Sequence, residues 1–271
     1  MSTSKVKMMA ESAIMLTLSV ILSILKLADL PAGGSITVAS LLPLVIIAYR
    51  YGTRWGVCIG LIYGIIQQLL GLNTLSYVTT WQSVLAVILL DYVIAFAFAG
   101  LAGAFRKIIK NQAAAMCSGA VLVCLLRYAC HVISGATVWA GLSIPTEAAT
   151  VYSLIYNATY MIPETIVLVI AVYYVGSMLD FGSQTPVRIS QKNTQSGLLW
   201  YDAAAGLAIS AAAIFDTVEI FKRLQNADSG EFDVTQISSV NWSAIICVSA
   251  AAITIAAVLF VVKKLKSKKT N

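Results

Sequence analysis

The chain has 271 residues, of which 59% are hydrophobic and 11% charged, with a mean hydropathy of +0.85 and a net charge of +6. A soluble globular domain carries about 25% charged residues, so the composition excludes a soluble enzyme or a nucleic-acid-binding domain and leaves an integral membrane protein. The apolar runs are helix-length rather than short and alternating, which excludes an outer-membrane barrel and makes the fold class all-α.

Taken in chain order, the apolar segments fall at 9–29, 36–51, 55–72, 82–105, 113–139, 151–179, 197–221 and 243–262, eight predicted spans. Basic residues set the orientation. Lys5 and Lys7 precede the first span. Arg50 and Arg54 separate the second and third; Arg106, Lys107 and Lys110 the fourth and fifth; Arg188 and Lys192 the sixth and seventh. Lys263, Lys264, Lys266, Lys268 and Lys269 follow the eighth. All lie on one side, which predicts cytoplasmic termini. Asp29, Glu147, Asp228, Glu231 and Asp233 occupy the opposite loops, and Lys222 with Arg223 is the exception at an outer helix end. The first run is too long for the core of a cleavable signal peptide.

A polar stretch from Asp180 to Ser196, containing Pro186, divides the chain. It predicts a six-helix unit over 1–180, an exposed cytoplasmic linker over 181–196 and a two-helix membrane extension over 197–271. The inverted internal repeats of many secondary transporters are not visible. The cysteines (Cys58, Cys117, Cys124, Cys130 and Cys247) are scattered through apolar segments without metal-ligand spacing and read as small buried residues.

Arg127, His131, Gly135 and Trp139 recur at four-residue steps in the fifth span, a spacing that stacks them on one helical face. His131 is the chain's only histidine. Intramembrane polar groups are costly unless they find partners or line a cavity, so they mark candidate sites. Asp91 lies in the fourth span; Tyr152, Tyr156, Asn157, Tyr160 and Glu164 lie in the sixth. The purely structural reading pairs Asp91 with Arg127 and leaves the tyrosines as interface anchors. The functional reading brings a carboxylate, an imidazole, an indole, tyrosines and an amide together near the outer ends of three helices. Such a pocket suits a small, flat, cationic, nitrogen-rich ligand. The loop Leu30-Pro31-Ala32-Gly33-Gly34-Ser35-Ile36-Thr37 has turn chemistry. It reads either as a tight connection or as a cover over an outward pocket.

There is no Walker A sequence, HExxH or GxSxG, and one histidine cannot build a multi-histidine metal site. No enzyme activity and no cofactor are expected. Ala13 and Thr17 form a small-xxx-small step in the first span, which permits close helix contact.

Several motifs carry a resemblance: PAGGSITVASLLPLVIIAYRYG, GLIYGIIQQLLG, LLDYVIAFAFAGLAG, RYACHVISGATVW and VYSLIYNATYMIPE. In this order, over roughly 8–180, they resemble the thiamine-specific substrate-binding (S) component of energy-coupling-factor transporters, the ThiT family. The resemblance implies a six-helix plasma-membrane subunit that captures thiamine from outside. It implies delivery with a membrane scaffold protein and two cytoplasmic ATPases, on which the loaded subunit topples. Under it Asp91 faces the thiazolium cation and Tyr92 follows it. His131 and Trp139 contact the pyrimidine, Tyr152 and Asn157 hydrogen-bond the ligand, and Gly34 and Ser35 belong to the substrate-binding set. Ala13 and Thr17 resemble the docking surface for the scaffold. Two departures stand out. Some family members have glutamate at the position of Asp91, and some have a first-loop tryptophan where this chain has Gly34; Trp81 or Tyr77 are candidates to replace that aromatic wall. The last two spans lie outside the resemblance. The alternatives at this point are an S component for another vitamin such as riboflavin, or a membrane enzyme or sensor.

Overall fold

The computed structural model describes residues 3–30, 34–140, 142, 148–189, 193–224 and 233–269. Helix α1 spans Thr3–Ile24. The antiparallel strands β1 (Lys26–Asp29) and β2 (Ser35–Thr37) follow it as a hairpin. The first predicted span therefore stops five residues early, because residues 26–29 pair with residues 35–37 instead of extending the helix. The second is shorter still. Helix α2 covers only Leu42–Tyr51, about 15 Å at helical rise, half of a bilayer core. Pro43 in its first turn suits a helix start, where the missing N–H is no loss.

Gly52, at φ +89°, turns the chain into α3 (Thr53–Leu70), a backbone conformation that residues with a Cβ avoid. The fourth segment is a composite: α4 (Trp81–Val87), a π-helical turn (Ile88–Val93), α5 (Ile94–Ala97) and a 3₁₀ stretch (Phe98–Lys107). Thr80 caps its start by accepting from the Ser83 amide at 3.1 Å. Helix α6 spans Gln112–Thr137, α7 Ala149–Met178, α8 Asn193–Leu224 and α9 Trp242–Lys269. Among the described residues six helices are long and apolar enough to cross a membrane: Lys5–Ile24, Trp81–Lys107, Gln112–Thr137, Ala149–Met178, Trp200–Leu224 and Trp242–Ser267. The protein is an all-α, multi-pass membrane protein in which a six-helix bundle precedes two further helices.

Small residues bring α3 against the fourth segment. A Cβ on Gly100 would lie 2.1 Å from the Val57 backbone nitrogen, and one on Gly60 2.5 Å from the Phe96 carbonyl. Without a hydrophobic drive between helices in lipid, such close backbone approach is what holds them together. The core lies among α2, α3, α6 and α7, around Tyr63, Leu44, Ile47, Met116 and Leu168. At the end opposite the hairpin, Arg50 is buried. It pairs with Glu11 at 3.0 Å and donates to the Phe181, Ser183 and Gln184 carbonyls. The segment after α7 is thereby tied to the bundle, and Leu179–Asp180 (β3) pairs with Val187–Arg188 (β4) before α8 begins.

Pro163 interrupts α7. A proline has no N–H to donate, which leaves the Thr159 carbonyl without its usual partner four residues on. The Thr217 hydroxyl of α8 lies 3.0 Å from it and 2.9 Å from the Ala213 carbonyl of its own helix, so its one proton is shared between the two. The C-terminal pair thus docks where the bundle itself has an unfilled acceptor. Helix α9 packs on α8, and two acidic side chains of α8 find partners there: Asp202 pairs with Lys263 and Asp216 accepts from Ser249. Glu147, Asp228, Glu231, Lys192 and the Pro31–Gly33 turn, all used in reading the sequence, lie outside the described residues.

Candidate functional site

Asp91 sits in the π-helical turn, a local widening of the helix that recurs at functional sites. Its carboxylate faces α6. Oδ1 meets His131 Nδ1 at 3.1 Å; Oδ2 accepts from Ser134 Oγ at 2.7 Å and from Trp139 Nε1 at 3.2 Å. His131 and Ser134 are three apart and so share one face of α6. Trp139 lies beyond the helix, which ends at Thr137, with its backbone N–H turned back to the Ser134 carbonyl at 3.3 Å. The four-residue stack expected from Arg127 to Trp139 therefore breaks at its last member, yet the indole still reaches Asp91.

The Asp91–Arg127 pair of the purely structural reading does not occur: among the described contacts Asp91 is held by His131, Ser134 and Trp139. Arg127, one turn deeper, is 7% exposed and lies 4.6 Å over the Phe96 ring, with Nε and Nη1 unpartnered. A guanidinium is more weakly hydrated than an ammonium and stacks on aromatic faces, so an aromatic ring can accompany it in the interior.

Helix α7 forms the next wall. Asn157 is buried and donates to the Ser153 carbonyl at 2.9 Å, to Ser153 Oγ at 3.2 Å and to the His131 carbonyl at 3.4 Å. Its Oδ1 accepts from the Tyr160 hydroxyl at 2.6 Å. Asn157 thus bridges α7 to the backbone of His131. The hairpin lies over this wall: Gly34 N–H donates to the Tyr156 hydroxyl at 3.3 Å, and a Cβ at Gly34 would stand 2.8 Å from the Tyr160 ring. The space beside Gly34 is taken by Tyr160. Trp81 and Tyr77, the expected substitutes for a first-loop aromatic, are 71% and 67% exposed and lie elsewhere. Below the hairpin, Glu164 accepts from both Thr37 N and Thr37 Oγ1 at 3.1 Å, fixing the end of β2 to α7.

Three of the expected site residues stand apart from this cluster. Tyr92 points toward the end of α3, its hydroxyl 3.2 Å from Thr74 Oγ1 and pressed against Gly71. Tyr152 packs against the buried cluster that contains Leu30, Phe221 and Leu224. Ser35 pairs with Asp29 in the hairpin. Sequence reasoning passed over Ser134, Ser153 and Thr37. Ser134 was discoverable, three residues beyond His131; Ser153 and Thr37 act through contacts distant in sequence. Tyr160 was noted only as one intramembrane tyrosine among several. Taken together, a carboxylate held by three donors, with tyrosines and an amide on the next helix, offers one negative charge, flat faces and directional hydrogen bonds.

Comparison with known proteins shows the family of this segment. Residues 9–180 match the family model described as thiamine transporter protein, Thia_YuaJ. Over 171 residues the chain is 34% identical to thiamine transporter ThiT of Bacillus subtilis (strain 168), covering 59% of this chain and 85% of that protein. A solved structure of ThiT from Listeria monocytogenes superposes with a TM-score of 0.53 at 20% identity, covering 64% of this chain and 94% of the other, a likeness of fold. Both matches leave much of the chain uncovered, as α8 and α9 lie beyond the family segment. The Asp91, His131, Trp139 and Asn157 cluster lies wholly within that segment, and the chain belongs to the thiamine transporter family.

Proposed function

We propose that the chain is the thiamine-capturing S component of an energy-coupling-factor importer. The observation that carries this reading is the Asp91 carboxylate, oriented by His131, Ser134 and Trp139 inside the family-matched segment. An intramembrane carboxylate so arranged is a counter-charge for a cation, and thiamine carries one on its thiazolium ring. Residues 1–180 form the binding unit, 181–196 the connection and 197–271 an accessory hairpin. Asp91, His131, Trp139 and Asn157 contact the vitamin, and Gly34 lies over the Tyr156 and Tyr160 wall beside them. The subunit sits in the plasma membrane with both termini in the cytoplasm.

The energising partners are a membrane scaffold protein and two ATPases. Ala13 and Thr17 are the docking step. Both are exposed on α1, and Thr17 turns its hydroxyl back to the Ala13 carbonyl at 2.9 Å, which leaves a small, internally satisfied surface.

The binding test is a titration of detergent-solubilised protein with thiamine, following tryptophan fluorescence. Saturable quenching that is lost in His131→Ala is expected; no response to thiamine beside a response to riboflavin would discard the substrate. For the partnership, Ala13→Trp should leave that titration unchanged and abolish uptake in vesicles carrying the scaffold and ATPases. Unimpaired uptake would remove Ala13 from the docking surface.

A further inference from the structure

The polar cluster around Asp91 is nearly shut away. Asn157 is 4% exposed, and the side chains of His131 and Asp91 are 13% and 16% exposed. A two-ring ligand reaches such groups only when a wall moves. The walls differ in how they are held. Helices α6 and α7 pack on each other along their lengths. The paired strands β1 and β2 rest on α7 through a few contacts: Glu164 fixes Thr37, and Gly34 N–H donates to the Tyr156 hydroxyl at 3.3 Å.

The C-terminal pair adds a further hold. Leu30, at the end of β1, is 6% exposed and is buried in one cluster with Phe221 and Leu224 of α8 and with Val240 and Ile245. Its N–H donates to the Gly34 carbonyl at 2.7 Å, so Leu30 and Gly34 move together. The α7 residues Tyr156 and Tyr160 pack against the same cluster. Phe221 meets the Tyr156 ring edge-on at 5.9 Å, and Tyr156 meets Tyr160 at 5.8 Å. Helix α8 therefore holds the strands twice: through the cluster that takes in Leu30, and through Tyr156, which accepts from Gly34. Both holds lie near the C-terminal end of α8. The Asp202–Lys263 pair, 19 residues back from Phe221, is about 28 Å away along the helix.

We propose that the α8–α9 pair is a strap on the paired strands, with Phe221 a positioning residue that sets how fast the site exchanges its ligand rather than how tightly it holds it. Phe221, Leu224 and Leu30 meet in the covered form whether the site is filled or empty. A contact that stabilises both forms equally shifts no equilibrium between them. It does reduce the uncovered population through which ligand enters and leaves, so both rates fall by the same factor. The identity of the ligand rests on the thiamine reading given above.

The test is stopped-flow tryptophan fluorescence with thiamine on the full chain in detergent, with both rate constants taken from the concentration dependence of the relaxation. Phe221→Ala should raise association and dissociation alike, by about 3- to 10-fold, with Kd changed by less than about three-fold. Leu30→Ala, from the other side of the contact, should do the same. Phe221→Tyr keeps the ring and should exchange ligand as wild type. Lys263→Met loosens the same helix pair at its far end and should leave both rates unchanged. A second readout needs no ligand: amide hydrogen exchange in β1 and β2 should quicken in Phe221→Ala and Leu30→Ala and stay as in wild type in Lys263→Met. Unchanged rates and unchanged hydrogen exchange in both Phe221→Ala and Leu30→Ala would overturn the strap. So would faster dissociation at unchanged association, which makes Phe221 part of the bound site, or equal acceleration in Lys263→Met, which marks general loosening. Wild-type protein indifferent to thiamine would overturn the thiamine reading alone, and the hydrogen exchange would still decide the strap.

Discussion

The bundle of residues 9–180 and the hairpin of α8 and α9 are both helical and apolar, yet they handle intramembrane polar groups differently. In the bundle, polar side chains from three elements converge on one point: Asp91 from the π-helical turn, His131 and Ser134 from α6, and Asn157 from α7, whose amide reaches the His131 carbonyl. In the hairpin, polar groups pair across two neighbouring helices, Asp202 with Lys263 and Asp216 with Ser249. The first arrangement exceeds what packing needs, since each partner adds a desolvation cost; the second is what two membrane helices need to neutralise their own charges. Convergence, rather than polarity as such, separates a site from a fastening.

Among substitutions in the two regions, the largest effect is expected at Asp91. Asp91→Asn should weaken thiamine binding about 10- to 100-fold, as hydrogen bonds to charged groups are worth about 1.5–3 kcal/mol. A neutral analogue should lose far less; equal losses would remove the counter-charge role. Trp139→Ala should cost about 0.5–2 kcal/mol through lost stacking on the ligand, a change of a few-fold to some thirty-fold in titrated affinity. Unchanged affinity would put the indole outside the site.

In the hairpin the readout should shift from binding to stability. Lys263→Met strands Asp202, which is partly buried, and should lower stability by about 1–3 kcal/mol, between an exposed and a fully buried pair. Thermal melting in detergent checks this, with thiamine affinity unaltered. A small binding effect is expected for Phe221→Ala. Its ring meets Tyr156 edge-on at 5.9 Å between centroids, and Tyr156 accepts from Gly34. Loss of this support should change affinity by less than about three-fold. A change as large as that of Trp139→Ala would make the hairpin part of the site.

The residues differ in how much of this they disclose. His131 and Asp91 were legible because ionisable groups within spans are rare and expensive. The partner of Asp91 was not. Arg127 has the stronger charge, but its place one turn deeper puts it over Phe96, and Trp139 closes on Asp91 only because the chain turns after Thr137. Asp202 and Asp216 of α8 had no account from sequence, since Lys263 and Ser249, which meet them, are 61 and 33 residues away. Gly34 read as a missing wall; in the fold it is a gap that the Tyr160 ring fills.

By itself the sequence determined that the protein is helical and membrane-embedded, where its long spans begin and end to within a few residues, and which family it resembles. These depend on hydropathy and local pattern, which need no partner. The tertiary structure alone decided that residues 26–29 and 35–37 pair as a hairpin, that α2 is half a span, that the Thr217 hydroxyl comes to the carbonyl freed by Pro163, and that Gln68 is left without a partner. Each depends on which surfaces meet, and in a medium that cannot hydrogen-bond, that meeting decides where every polar group ends.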